Sequence, residues 1–400
     1  MTTRATSIQD NERIASLDMM RGLALLGILL ANSLHFQYGL FLIPSLHDYY
    51  PLGTIDRITE SAILFLATAS FYTLFSFLFG YGMALLKERL EQRELRFGTV
   101  YFRRMGILLA VGFLHYLFIW DGDILLTYAL GGMLLYFFLR LKEKGLLVWS
   151  LILLLLMATS IGMPEDESTL VVEDSLASYS VIEKEVLTSG SYAEVVQFRL
   201  TEDMFGLGGY GQILVILSAM IAVIGMFLLG AFVARKKWLL NIDTHRPLLK
   251  KVWLITLLVG FPAKIPHAFI GDSYQYEMLH MTIGGPLVAM FYATSIALLA
   301  TNPTARKWLQ PFAMVGRLSL TNYLMQSIVF TTLFYGYGFG LFNSLGYFVG
   351  AILAIVFFLL QILFSKWWIT HFKMGPFEWF WRAGTYLEIP KLKRESRLKS

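Results

Sequence analysis

The chain has 400 residues, 56% of them hydrophobic and 15% charged, with a formal net charge of +5. A water-soluble domain carries about 25% charged residues, so this composition excludes an ordinary soluble globule and makes lipid the main solvent. The absence of cysteine rules out disulfides, thiolate metal sites and a cysteine nucleophile.

Residues 1–21 are mostly polar and lead into an apolar run too long for the core of a signal peptide, so that run is expected to remain as a helix. Ten apolar runs follow one another along the chain: 22–43, 61–86, 104–120, 124–140, 145–163, 211–234, 252–270, 282–300, 312–334 and 345–368. Each is long enough to cross about 30 Å of hydrocarbon as a helix. Asp121-Gly122-Asp123 alone separates the third from the fourth, which predicts a tight helical hairpin. The seventh contains Pro262, Lys264 and Pro266 and is expected to break before its far end.

Basic residues test this map, because Lys and Arg accumulate in cytoplasmic loops. With the N-terminus placed inside, 29 of the 33 basic residues fall on the cytoplasmic side, leaving Arg57, Lys184, Arg199 and Lys264 outside. The expected fold is therefore all-α: a polytopic transmembrane bundle of about ten helices, with both termini cytoplasmic in the inner membrane. It is expected to form one domain over 1–400. Residues 164–210 read as an acidic extracytoplasmic loop with short amphipathic helices, or as a plainly solvated loop. Within 372–400, the aromatic stretch Gly375-Pro376-Phe377-Glu378-Trp379-Phe380-Trp381-Arg382 suits a short cytoplasmic interfacial helix before a basic tail.

Polar side chains inside a membrane are costly and mark candidate sites. Asn32 and His35 share one face of the first run, ~16–21 Å beyond Arg21 at the helical rise. His115 lies ~18 Å beyond Arg103 on the same measure, with Asp121 and Asp123 at the outer mouth. A carboxylate beside an imidazole orients it and keeps it basic enough for general-base work. Six residues of helix is ~9 Å, however, so His115 reaches Asp121 only if the helix ends early or turns back. In the ninth run Asn322 and Gln326 lie one turn apart, with Arg317 at the entrance; Asp18 and Arg21 open the first run three residues apart. Each of these polar groups has a structural alternative, in interhelical hydrogen bonds or a snorkelling arginine.

Ser16-Leu17-Asp18-Met19-Met20-Arg21-Gly22 running into a Leu-rich helix with Asn32 resembles the opening of the YeiB-like family, domain of unknown function 418. Further blocks resemble it in order: FSFLFGYGMALL at 75–86, GFLHYLFIWDGDILL at 112–126, GRLSLTNYLMQS at 316–327 and GPFEWFWR at 375–382. At the level of the D-x-x-R-G start and the helix count, the chain is also similar to the transmembrane acyltransferase superfamily. That resemblance implies transfer of an acyl group from a cytosolic donor such as acyl-CoA to an extracytoplasmic or lipid-linked acceptor, with an intramembrane His assisting.

On this reading His115 is the base, with Asp121 and Asp123 orienting it or the acceptor, while His35 competes for the role. Arg21 and Arg317 hold the anionic donor, and Asp18, Asn32, Arg199, Asn322 and Gln326 complete the polar set. Arg199, with its neighbours from Glu194 onward, is expected to fold back over the hairpin near Asp121 or Asp123. No metal or resident cofactor is expected. The expected partners are membrane lipids, the acyl-CoA donor and an envelope glycan or lipid acceptor, with no nucleic acid; a homodimer is compatible. The rival readings are a transporter or exporter of a small metabolite or lipid, and a non-catalytic lipid- or quinone-binding membrane protein.

Overall fold

The computed structural model describes residues 14–39, 52–163, 167–203 and 208–394. The helices, in chain order, are α1 Ala15–Tyr38, α2 Thr54–Leu66, α3 Ser70–Gln92, α4 Phe97–Phe118, α5 Leu125–Phe138, α6 Glu143–Ala158, α7 Glu167–Ser189 and α8 Tyr192–Thr201. They continue with α9 Gly208–Arg235, α10 Ile242–Ile265, α11 Tyr274–Leu279, α12 Gly285–Leu299, α13 Pro303–Arg317, α14 Ser319–Phe334, α15 Tyr347–His371 and α16 Pro376–Tyr386. Among the described residues there is no β-strand; Phe372 and Lys393 form an isolated bridge. Eight helical stretches among them are long and apolar enough to cross a membrane. The end of the first apolar run, 40–43, lies outside the described residues.

Among the described residues, the second, seventh and ninth apolar runs depart most from simple spanning helices. The second breaks between α2 and α3, where Ala69 takes a left-handed conformation at φ 63°. The ninth divides at Leu318, whose φ of −112° and ψ of 38° separate α13 from α14. The seventh does not break at its prolines. α10 runs through Pro262 to Ile265 and continues as a π-helical turn over Pro266–Ile270. The wider π turn re-routes carbonyls that a proline leaves without a donor, so the helix loosens where the sequence predicts a stop.

Backbone contact at glycines draws the bundle together. A Cβ at Gly80 would lie 1.9 Å from the Phe227 carbonyl oxygen, and a Cβ at Gly230 would lie 1.9 Å from that of Phe77. The contact is reciprocal, so α3 and α9 cross backbone to backbone. α1 and α13 repeat the arrangement: a Cβ at Gly22 would sit 1.9 Å from the Phe312 oxygen, and one at Gly316 1.9 Å from the Asp18 oxygen. Lipid offers no hydrophobic force between helices, so close packing of small residues is what holds such pairs.

The acidic segment forms α7 and α8. A capping box starts α8: the Ser191 hydroxyl accepts from the Glu194 amide, and the Glu194 carboxylate accepts from the Ser191 amide at 2.7 Å. Its Tyr192 hydroxyl donates to the Phe118 carbonyl at 2.8 Å, docking α8 on the end of α4. At the other end of the bundle α16 packs on α4: the Trp381 indole donates to the Arg104 carbonyl at 3.0 Å, and the Arg104 guanidinium lies 3.7 Å above the Trp381 ring.

Replacing Gly80 or Gly230 with Ala should destabilise the bundle by roughly 1–3 kcal/mol, the usual cost of overpacking. A lowered melting temperature in detergent or nanodiscs checks this. Gly106, whose Cβ would meet nothing within 4 Å, is the control and should tolerate Ala.

Candidate functional site

One cavity, of about 220 Å³, opens between α1, α3, α4, α13, α14 and α16. Five arginines line it: Arg21, Arg89, Arg104, Arg317 and Arg382. They come from five different helices, so no single stretch of sequence displays the cluster. Asp18 pairs with Arg21 at 2.9 Å. The rest of the wall is apolar, with Leu25 and Ile28 from α1, Phe75, Leu78 and Phe79 from α3, and Leu108 from α4. Ile124, Leu125, Tyr128 and Tyr323 also line it. A cationic cluster beside an apolar sleeve is complementary to an amphiphile with an anionic head.

The break at Leu318 serves this cavity. It leaves the first amides of α14 without intrahelical acceptors, and Glu378 of α16 supplies them. One carboxylate oxygen accepts from the Leu320 and Thr321 amides at 2.7 and 3.1 Å; the other accepts from the Thr321 hydroxyl at 2.6 Å. Burial pushes the Glu378 carboxyl above its ordinary range, against the opposing pull of these hydrogen bonds. This carboxylate ties the start of α14, just after Arg317 and Leu318, to α16, which carries Trp381 and Arg382 in the same cavity wall.

Behind Tyr323 stands His115. The α4 helix ends at Phe118 and the chain doubles back, the Trp120 amide donating to the His115 carbonyl at 2.8 Å. This reversal brings Asp123 rather than Asp121 to the imidazole: Asp123 Oδ2 lies 2.7 Å from His115 Nδ1. The carboxylate approaches obliquely to the ring N–H, so the contact is electrostatic more than a linear hydrogen bond. The other Asp123 oxygen accepts from the Leu126 amide at 2.7 Å and so also starts α5. His115 Nε2 has no hydrogen-bond partner among the described residues. The imidazole is buried and does not line the cavity; its centroid is 5.4 Å from that of the Tyr323 ring.

Asp121 turns the other way, toward α8. Arg199 lies 3.8 Å from it and donates to the Leu117 and Ile119 carbonyls at 3.3 and 3.1 Å. The predicted fold-back of the acidic segment is therefore present, with Asp121 as the partner. Burial opposes the Arg199 charge, but the Asp121 carboxylate beside it outweighs this and holds the guanidinium protonated. Glu183 is buried near the same group.

The remaining expected site residues are placed differently. Asn322 donates to the Val315 carbonyl and the Ser365 hydroxyl, both at 3.1 Å, and Gln326 donates to Gln361 at 2.9 Å. Gln361 in turn donates to the Asn322 carbonyl at 2.9 Å. This closed network joins α14 to α15 and takes the structural alternative for both amides. Asn32 and His35 are half-buried on α1, beyond the part that lines the cavity. Arg89, Arg104, Arg382, Glu378 and Tyr323 were missed by sequence reasoning. In the sequence these arginines read as topology signals, and the acid inside the aromatic 375–382 stretch is the available hint of Glu378.

A family model described as "Protein of unknown function (DUF418)" matches residues 233–388. The chain is 35% identical over 401 residues to "Uncharacterized protein YxaH" of Bacillus subtilis (strain 168), covering 97% of this chain and 98% of that one. It is 30% identical over 409 residues to "Uncharacterized protein YeiB" of Escherichia coli (strain K12), covering 96% and 100% respectively. An "Uncharacterized 39.9 kDa protein in amylase 3'region" of Bacillus acidopullulyticus is 30% identical, with 94% of each chain covered. No solved structure matches. The fold defines a helical membrane protein with an arginine-lined cavity. The chain belongs to the DUF418, YeiB-like family.

Glu378→Ala should leave two amides and a hydroxyl at the start of α14 without acceptors, at a cost of roughly 1–3 kcal/mol. The expected outcome is a lower melting temperature together with faster hydrogen exchange at 319–323; unchanged exchange there would refute the capping role.

Proposed function

We propose that the protein is a membrane acyltransferase of the inner membrane, taking an acyl group from a cytosolic acyl-CoA-type donor to an acceptor at the opposite face. The observation that carries this reading is the cavity: five arginines and an apolar sleeve line it together, and Tyr323, also in its wall, packs against His115 of the His115–Asp123 pair. Arginine presents planar, permanently charged donors suited to phosphates, and the apolar wall suits an acyl chain.

In the proposed reaction an acceptor hydroxyl or amine approaches from the Asp121–Arg199 side. His115 Nε2 takes its proton as the acceptor atom bonds to the donor thioester carbon. The carbon–sulfur bond breaks, and the thiolate recovers a proton to leave as thiol. Asp123, beside Nδ1, stabilises the imidazolium that forms. Tyr323 has to swing aside for base and donor to meet. The second reading, a carrier of an anionic lipid or metabolite, is favoured by one observation: the imidazole is sealed from the cavity.

The expected orientation follows the basic residues. Single cysteines introduced at Gln92 and Ser178, both exposed, should label from the cytoplasmic and outer sides respectively; labelling of both from one side would refute the ten-helix topology, and labelling from exchanged sides would invert the donor and acceptor assignments.

Arg317→Gln should weaken binding of a radiolabelled acyl-CoA by about 10–100-fold, the worth of one charge-assisted hydrogen bond. Arg21→Gln should fall at the low end, because Asp18 already shares that charge. His115→Gln should reduce acyl transfer by at least about 100-fold while binding is kept. Gln is preferred to Ala because an empty site would strand the buried Asp123 carboxylate. Normal transfer by His115→Gln would remove the base from the mechanism, and transmembrane flux of the intact ligand without transfer would establish the carrier reading.

A further inference from the structure

A second polar cluster lies away from the arginine cavity, where α10, α12 and the α2–α3 break meet. Lys264, in the last turn of α10, is completely buried, and so is His280. His280 opens a π-helical turn, His280–Gly284, and Lys264 lies two residues before another, Pro266–Ile270, a feature that concentrates at functional positions. Two glycines let these parts close on each other. A Cβ at Gly284 would lie 2.5 Å from Lys264 Cγ, and one at Gly285 would lie 2.8 Å from Ala69 Cβ.

Lys264 Nζ donates to the Thr68 carbonyl at 2.7 Å and to the Ser70 hydroxyl at 2.9 Å. Among the described residues no carboxylate lies within 4.0 Å of it. Two acceptors match the two N–H groups of a neutral amine; an ammonium carries a third. His280 lies beside the Thr68 and Lys264 carbonyls, yet neither of its ring nitrogens is in line for a full hydrogen bond. The His267 ring stands 5.0 Å from it, and His267 Nδ1 lies 3.9 Å from Asp272 Oδ1. Asp272 is 59% exposed, so His280, His267 and Asp272 lead from the buried cluster to water at the end of α3 opposite Arg89.

Other ionisable groups near the cluster are few. On α2, Glu60 is buried beside Tyr347. On α12, the Tyr292 hydroxyl donates to the Leu66 carbonyl. On α11, Glu277 is exposed, and the 159–162 turn packed nearby carries no ionisable side chain. The ionisable side chains nearest His280 are Lys264 and His267, both basic. Two buried bases without a counter-ion cannot both hold a charge at acceptable cost.

We propose that Lys264 and His280 form a proton-binding site that holds one proton between them, with His267 and Asp272 as its route to water. On loading, a proton passes from water through Asp272 and His267 to His280 and onto the Lys264 lone pair, giving an ammonium; unloading reverses each transfer. The site grips Thr68 and Ser70 at the start of α3, and α3 supplies Phe75, Leu78, Phe79, Met83 and Arg89 to the arginine cavity. Proton occupancy at one end of α3 thus bears on the wall of the cavity at the other.

The test is a titration of the full chain in nanodiscs, carrying [13Cε]lysine and [13Cε1]histidine, from pH 5 to 10. Lys264→Met and His280→Gln assign the two resonances. The expected result is that Lys264 and His280 shift together with one shared midpoint, and that His280→Gln moves the Lys264 midpoint at least threefold in proton concentration. If His280→Gln does not fold, loss of the His280 step in Lys264→Met gives the same support. If neither variant folds, one lysine and one histidine sharing a midpoint in the unaltered protein still decides in favour. Lys264 titrating with the exposed lysines, or neither group moving, overturns the proposal. No donor or acceptor enters the measurement, so its outcome is independent of whether acyl transfer occurs.

Discussion

Two backbone-to-backbone crossings set the geometry from which the rest of the bundle follows. At Gly80 and Gly230, and again at Gly22 and Gly316, each helix presents a missing side chain to the carbonyl of its partner. Dispersion and weak Cα–H···O contacts then replace the hydrophobic force that lipid cannot provide. The pairs α3–α9 and α1–α13 are spaced by these contacts, and α1 and α3 are also two walls of the cavity. Gly316 immediately precedes Arg317. The crossing that brings α13 against α1 therefore also places that guanidinium in the same cavity as Arg21.

The interruptions in the helices supply the polar chemistry. In hydrocarbon every free amide and carbonyl needs a protein partner, so a broken helix survives only where another element completes it. The Leu318 break is completed by Glu378, the α2–α3 break by Lys264, and the 119–124 reversal by Asp123 and Arg199. In each case an ionisable side chain answers exposed backbone, and in each case that side chain is far from the break in sequence or reached by a tight turn. The costs of breaking a helix and of burying a polar side chain offset one another at the same points.

These points form an ordered series through the molecule. The arginine cavity lies at one end, Tyr323 and the His115–Asp123 pair follow, and Asp121 with Arg199 and its surrounding tyrosines lies at the other. Asp121 and Asp123, two residues apart, serve opposite directions because the chain reverses between Phe118 and Leu125. The closed amide network of Asn322, Gln326 and Gln361 stands beside this series and fastens α14 to α15. An Asn and a Gln one helical turn apart look the same in sequence whether they line a path or bind each other's neighbours; the identity of the facing residue on α15 decides which.

The sequence by itself determined the solvent, the helical class and the distribution of basic residues, because these depend on composition and on runs of consecutive residues. It also marked Arg21, Arg317, His115 and the Asp121–Asp123 turn, since ionisable groups inside apolar runs stand out without any knowledge of neighbours. Only the tertiary structure decided that Asp123, not Asp121, meets His115, because the reversal after Phe118 is set by packing and hydrogen bonds. The same holds for the five-arginine cluster, whose members lie on five helices up to 361 positions apart in the chain, and for Glu378 as the partner of α14. Hydrophobic runs are legible locally; convergence of polar groups across helices is a property of the packed backbone, and here glycines and helix breaks fixed it.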